Sequence, residues 1–125
     1  NKKKGEKNKN ADYYKNDMYL GDFKTSDQNI NVVFRDHEYP DGDMIQIRVN
    51  DKIVIGSIIL EESFKGVSID LEEGFNRIDF IALNQGESGP NTAELKVYTH
   101  SGNLVGSNRW NLATGVKATY IVVKE

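Results

Sequence analysis

The sequence predicts an all-β fold in which two antiparallel sheets pack face to face as a β-sandwich, of immunoglobulin-like or jelly-roll arrangement. Short runs with an apolar residue at every second position recur about every ten residues from Met18 onward. Glycine, asparagine and aspartate stand between the runs, where they favour turns, and no run has the spacing of an amphipathic helix. The length of 125 residues suits one domain and is too short for two with their own cores. A closed β-barrel is the main alternative.

The first half of the chain contains alternating runs joined by a tight hairpin. These runs lie at residues 30–34, 45–49, 53–55 and 58–60. Asn50 and Asp51 stand between two of them, and both residue types tolerate the left-handed backbone conformation that a two-residue hairpin requires. We therefore predict a hairpin at this position.

The second half repeats the pattern, with one strand that is apolar on both faces. Its runs lie at residues 67–71, 78–82, 93–97, 110–112 and 118–123. Ile81 and Leu83 place apolar side chains opposite the main apolar face of their run, which favours a central strand over an edge strand. The predicted core contains Ile45, Ile47, Val49, Ile69, Leu71, Ile78, Phe80, Leu95, Val97 and Val122.

The charge is unevenly distributed along the chain. Residues 1–16 are polar and rich in lysine and asparagine, which predicts a flexible basic tail before a β-sandwich domain at residues 17–125. The formal net charge is −3, and residues 1–10 carry +4, which leaves −7 for the remainder. An acidic domain repels a polyanion, so we expect no nucleic-acid partner.

Cysteine usage and the start of the chain bear on the compartment. The chain has no cysteine, which excludes disulfides, thiolate metal sites and thiol nucleophiles. It begins at Asn1 and not at methionine, as removal of a secretory signal would leave it, so we expect an exported protein, extracellular or periplasmic. No apolar run approaches the roughly 20 residues of a membrane span, so no membrane insertion is expected.

One segment resembles a known class of domain. Residues 71–84, LEEGFNRIDFIALN, resemble the penultimate strand region of bacterial immunoglobulin-like domains, which carry a leucine, a turn glycine, an asparagine and an alternating strand. The Asp41-Gly42-Asp43 turn, the hairpin at residues 49–51 and the loop at 84–93 are similar to those of small secreted bacterial β-sandwich domains. The resemblance covers residues 18–125 and implies fold and export, and some members accompany carbohydrate-active or surface-attached modules. It transfers no catalytic residue.

An acidic loop, DHEYPDGD at residues 36–43, is the candidate metal site. Ca²⁺ binds several oxygen ligands at about 2.3–2.6 Å, and Asp36, Asp41 and Asp43 supply carboxylates. Gly42 allows a turn tight enough to bring the flanking carboxylates together. The spacing differs from that of the helical calcium loop. The alternative is a polar turn whose side chains bind nearby backbone N–H groups.

A second loop, at residues 84–92, lies between two predicted strands. Asn84 and Asn91 offer side-chain oxygens, and this loop would share an ion with the acidic loop if both lay at one end of the sandwich. The alternative is that the two asparagines cap the backbone groups of the loop itself.

Aromatic residues are the candidates for ligand contact, because the apolar face of a sugar packs on an aromatic ring beside polar groups. Trp110 and Tyr39 are the first contacts that we predict, with a core position as the alternative for Trp110. His37 and His100 stand apart in the sequence, so neither predicts a zinc site. No catalytic triad or phosphate-binding loop is found, and an enzyme is not expected.

These observations predict a secreted, non-catalytic binding or accessory module whose partner is a carbohydrate or a cell-surface protein, with structural calcium as an option. The first alternative is an assembly domain that joins protein partners through an exposed sheet edge. The least favoured alternative is a small hydrolase that uses Asp36 or Asp43 with His37. The sequence leaves the identity of the ligand and the oligomeric state open.

Overall fold

The computed structural model describes residues 16–38, 40–84 and 90–125. These residues form nine strands and no helix, and none forms a helix long and apolar enough to span a membrane. The strands are β1 (Met18–Thr25), β2 (Asn29–Arg35), β3 (Met44–Val49), β4 (Lys52–Ile59), β5 (Lys65–Asp70), β6 (Gly74–Ala82), β7 (Asn91–Thr99), β8 (Leu104–Leu112) and β9 (Lys117–Lys124). Apart from Asn16, the predicted basic tail lies outside the described residues.

The strands form two sheets, which confirms the predicted β-sandwich. The five-stranded sheet has the order β1-β9-β6-β3-β4, and the four-stranded sheet has the order β5-β2-β7-β8. The strand pairs in both sheets are antiparallel except β1 and β9, which run parallel. Because β1, β4, β5 and β8 end their sheets, the described chain does not close into a barrel.

The core lies between the sheets and follows the predicted alternation. In β2, Ile30, Val32 and Phe34 are fully buried, since side chains at every second position of a strand point to the same face. Strand β6 lies between β9 and β3, which confirms its predicted central position. All ten residues of the predicted core are buried.

The hairpin between β3 and β4 forms at the predicted residues. Asn50 and Asp51 have φ angles of 52° and 68°, the left-handed values that a two-residue turn of this kind needs. The side-chain oxygen of Asn50 also accepts a 2.8 Å hydrogen bond from the backbone N–H of Arg77, which fastens the turn to β6.

Two connections cross between the sheets at one end of the sandwich. Residues 36–43 lead from β2 in the four-stranded sheet to β3 in the five-stranded sheet, and residues 83–90 lead from β6 back to β7. The backbone N–H of Leu83, the first residue after β6, donates to the carbonyl of Met44 at 2.9 Å, so the end of β6 lies beside the start of β3. The candidate metal site is in the first of the two connections.

Candidate functional site

The three predicted metal-ligating residues come together. Asp36 directly follows β2, Asp43 directly precedes β3, and Asp41 lies in the turn between them. One carboxylate oxygen from each residue lies within 4.8 Å of the others. The turn depends on Gly42, whose φ of 90° is strained for residues that carry a Cβ.

Hydrogen bonds hold two of the three carboxylates in place. The side chains of Asp36 and Asp43 are buried, at 3% and 1% exposure. Oδ1 of Asp36 accepts from the backbone N–H of Glu38 at 2.9 Å and from the hydroxyl of Thr92 at 3.2 Å. Oδ2 of Asp43 accepts from the backbone N–H of Thr92 at 3.0 Å. The polar-turn interpretation accounts for the bond to Glu38, whereas the bonds to Thr92 reach across to β7.

The other oxygen of each buried carboxylate has no such partner. Oδ2 of Asp36 and Oδ1 of Asp43 are buried and accept no hydrogen bond from a described donor. Neither side chain forms an ion pair with a described residue. Burial raises the pKa of Asp43, and the neighbouring Asp41 and Asp36 carboxyls add to this rise against the lowering effect of the Thr92 N–H, so that the pKa is about 7. A buried carboxylate oxygen that accepts no hydrogen bond is unfavourable, so each of these two side chains favours a proton or a cation.

The second loop meets the first through its two asparagines. Asn84 accepts a 2.8 Å hydrogen bond from the backbone N–H of Met44 and donates to the carbonyl of Gly42 at 3.0 Å. Asn91 donates to the carbonyls of Met44 and Asn84 at 3.1 and 3.0 Å. Both side chains cap backbone groups, as the capping interpretation predicts, and they hold the two loops at the same end of the sandwich.

Trp110, which the sequence offered as a sugar contact, lies in the core. Its side chain is 1% exposed and its ring centroid is 5.2 Å from that of Phe80. Its indole N–H donates to Oδ1 of Asn91 at 3.2 Å. The indole therefore presents no face to a ligand, because β8 turns position 110 inward. Tyr39, the other predicted contact, lies outside the described residues.

The two histidines lie apart. Nδ1 of His100 lies 2.7 Å from Oδ1 of Asn29 on the surface. His37 is half-buried beside the acidic cluster, where its Nε2 is buried without a described hydrogen-bond partner, and it lines a cavity of about 470 Å³ with Glu38, Pro40 and Glu62. Neither histidine belongs to the set of three clustered carboxylates.

A surface groove that the sequence analysis missed lies on the outer face of the five-stranded sheet. Tyr19 on β1 and Phe75 on β6 are 63% and 77% exposed, and both line a groove of about 520 Å³. Ile121 and Val123 of β9 lie between these two strands and also line it. The alternation of side chains along β6 could have indicated that Phe75 is exposed. Phe75 alternates with the inward-facing residues of β6 and lies on the same face as Arg77.

The groove is also lined by one negatively charged and one positively charged residue. Asp22 and Lys24 of β1 line it beside the apolar residues. The phenol of Tyr19 donates a hydrogen bond to the Asp22 carboxylate, and this bond raises the pKa of Tyr19. The opposite charges of Asp22 and Lys24 leave the groove without a net charge.

Strand β4 presents a second apolar surface, at a sheet edge. It pairs with β3 on one side only, and Ile53, Val54 and Ile59 are 57%, 47% and 47% exposed. An apolar strand with one free edge is suited to pairing with another strand.

Comparison of the chain with protein-family models, with curated proteins and with solved structures found no match. The strands and their order show that the chain contains a small all-β domain of two sheets. The resemblance of residues 71–84 to bacterial immunoglobulin-like domains stays a prediction, and inference about function rests on the geometry of the residues.

Proposed function

We propose that this domain is a non-catalytic binding module of an exported protein and that it binds a carbohydrate in the groove between Tyr19 and Phe75. The observation that carries this proposal is the pair of strongly exposed aromatic rings on one sheet face, with the aliphatic side chains of β9 between them. The resemblance of residues 71–84 to bacterial immunoglobulin-like domains, and of the turns at 41–43 and 49–51 to those of small secreted bacterial β-sandwich domains, supports export.

The chemistry of the groove suits a neutral, hydroxyl-rich ligand. The C–H face of a sugar ring packs against an aromatic ring, and its hydroxyls require polar partners nearby. Asp22 can accept hydrogen bonds from hydroxyls, and Lys24 can donate to them. Because these two charges balance, the groove has no electrostatic preference for an anionic ligand.

The positions of the rings favour an oligosaccharide over a single sugar. Tyr19 is paired with Thr119 of β9, and Phe75 is paired with Val123, so the two residues lie two strands apart and four positions apart along the sheet. Strand spacings of about 4.8 Å and rises of about 3.3 Å per residue place their Cα atoms roughly 16 Å apart. A ligand that contacts both rings must extend along the sheet face.

The residues of the groove support binding without cleavage. Glycoside hydrolysis ordinarily requires two carboxyl groups at a defined separation across the scissile bond. Among the residues that line the groove, Asp22 alone carries a carboxylate. The groove therefore offers contacts for recognition without the pair that hydrolysis uses.

The test is glycan binding by Tyr19→Ala and Phe75→Ala, with an array screen followed by calorimetric titration of the best glycan. We expect each change to weaken binding about tenfold, which corresponds to ~1.4 kcal/mol. Both side chains are exposed, so the Tm should barely change. Leu104→Ala, which removes a side chain that is 53% exposed on the other sheet, is the matched control. Undiminished binding by the double variant, or no binding by the parent chain, would overturn the proposal.

The free edge of β4 supports a second candidate function, assembly by strand addition. A partner strand paired with β4 would use its unpaired backbone N–H and C=O groups and cover Ile53, Val54 and Ile59. Sedimentation of the chain over a range of concentrations tests self-association. Ile53→Lys should abolish association at this edge, whereas Phe75→Lys, on the central strand β6, should leave it intact. The opposite result would place the contact on the sheet face.

A further inference from the structure

The acidic cluster lies where three strands from both sheets meet. Asp36 follows β2 and Asp43 precedes β3, and these strands belong to different sheets. Thr92, in β7, donates its hydroxyl to Asp36 and its backbone N–H to Asp43. A ligand bound here would therefore connect the two sheets at this end of the sandwich.

Asp36 and Asp43 bring two buried carboxylates together without an ion-pair partner among the described residues. Asp36 and Asp43 are more than nine-tenths buried, each with one oxygen that accepts no hydrogen bond from a described donor. A third carboxylate, from Asp41, lies within 4.8 Å. Because a buried carboxylate is stable only when it is paired, bonded or protonated, this arrangement points to a bound cation.

We propose that Asp36, Asp41 and Asp43 bind a calcium ion that joins the end of β2 to the start of β3. The donor set consists of carboxylate oxygens, which hard divalent cations prefer, and no histidine belongs to it. Oxygens that bind one Ca²⁺ ion lie at most about 5.2 Å apart, twice the Ca–O distance. The spacing within 4.8 Å is compatible with Ca²⁺.

This inference does not depend on the proposed carbohydrate groove. The groove lies on the outer face of the five-stranded sheet, and its lining residues include none of the three aspartates. Loss of calcium binding and loss of glycan binding are therefore separate results.

Two measurements test the calcium site. The first is the Tm of the chain after chelator treatment, with Ca²⁺ or Mg²⁺ then added at millimolar concentration. A cation that binds the native state raises the Tm, and we expect a rise of several degrees with Ca²⁺. The second is Tb³⁺ luminescence excited through Trp110, which lies close to the site because its indole bonds to Asn91, the neighbour of Thr92. Ca²⁺ should displace the Tb³⁺ and remove this signal.

Matched variants locate the ion. Asp43→Asn and Asp36→Asn retain an oxygen that can accept the bonds from Thr92 while they remove the charge, so the variants should fold. We expect both to lose the Ca²⁺-dependent rise in Tm and the Tb³⁺ signal. Asp70→Asn, at the exposed end of β5 and outside the cluster, should behave as the parent chain.

Three outcomes would overturn the inference. One is a Tm that does not respond to Ca²⁺. Another is a response that persists in Asp43→Asn and Asp36→Asn, because the ion would then bind elsewhere. The third is stabilisation by Mg²⁺ without stabilisation by Ca²⁺, which would exclude the assignment of calcium.

Discussion

The backbone N–H of Thr92 donates a 3.0 Å hydrogen bond to Oδ2 of Asp43, which fastens β7 of the four-stranded sheet to the start of β3 in the five-stranded sheet. The carboxylate is buried, so this bond is shielded from water and orients the side chain. It satisfies one oxygen of Asp43 and leaves the other without a described donor. The protonation state of Asp43 should therefore affect the stability of the whole domain.

We predict that the chelator-treated chain loses stability as the pH rises from about 4 to about 7. The pKa of Asp43 is raised from 3.8 to about 7, so in this window the native state binds a proton that the unfolded state has released. The stabilisation by this proton is complete below the pKa that Asp43 has in the unfolded state. It is lost as the pH rises through the pKa that Asp43 has in the folded state. Urea unfolding at a series of pH values measures the effect, and Asp43→Asn should lack it. If the free energy of unfolding of Asp43→Asn fell equally with pH, the prediction would be contradicted.

We predict that Trp110→Ala lowers the free energy of unfolding by about 3–5 kcal/mol, because it leaves a cavity beside Phe80. Trp110→Phe keeps much of the volume but removes the bond to Asn91, which should cost about 1–3 kcal/mol for the buried acceptor left unpaired. Urea denaturation measures both values. Neither variant that remains folded should change glycan binding, and a loss of binding at unchanged stability would contradict the core role of Trp110.

We predict that Gly106→Ala destabilises the domain by about 1–3 kcal/mol, because a Cβ at this position would overlap the hydroxyl of Tyr120. Gly56→Ala is the matched control, since a Cβ at Gly56 meets no atom within 4 Å. Tyr120→Phe removes the hydroxyl, so in the double variant the cost of Gly106→Ala should be smaller, although the ring remains 2.9 Å from the added Cβ. A full cost in the double variant would show that the overlap is not the cause. Thermal or urea unfolding of the four variants measures their free energies of unfolding.

We predict that Asn76→Asp is more destabilising than Asn76→Ala. Asn76 is fully buried, and its side-chain amide N–H groups donate to the carbonyls of Glu72, Gly74 and Val122 at 2.8, 3.2 and 3.3 Å. In the Asn76→Asp variant one carboxylate oxygen would keep the hydrogen bond from the Glu72 N–H, but the other would face three carbonyl oxygens without a donor, which adds electrostatic repulsion to the lost bonds. Urea unfolding at neutral pH tests the order. Acidification should reduce the difference, because a protonated Asp can donate one hydrogen bond.

Local pattern was sufficient to predict most of the strands and the core. Ile45, Ile47 and Val49 share one face of β3 because side chains alternate along any strand, whichever strands lie beside it. The hairpin at Asn50 and Asp51 depends on the backbone preferences of two residues. The same reasoning found the three aspartates of the acidic loop, since Gly42 allows a tight turn between two of them.

Strand pairing was not predictable in this way. The parallel pairing of β1 with β9 joins segments about 100 residues apart in the sequence, and it positions Tyr19 in the groove with Phe75. Trp110 lies in a run that was predicted as a strand, but which face of that strand would be covered depends on the opposite sheet, whose Phe80 packs against the indole ring. Local pattern therefore did not indicate that Trp110 is buried or that Tyr19 and Phe75 are exposed.

The sequence by itself determined the fold class, the core and the position of the acidic loop, because these follow from side-chain alternation and turn preferences over a few residues. Only the tertiary structure decided which aromatic rings face the solvent and which carboxylate oxygens lack a donor. The donor to Asp43 is Thr92, 49 residues further along the chain. Burial and hydrogen bonding of this kind depend on strands that are distant in the sequence and meet only when the two sheets pack together.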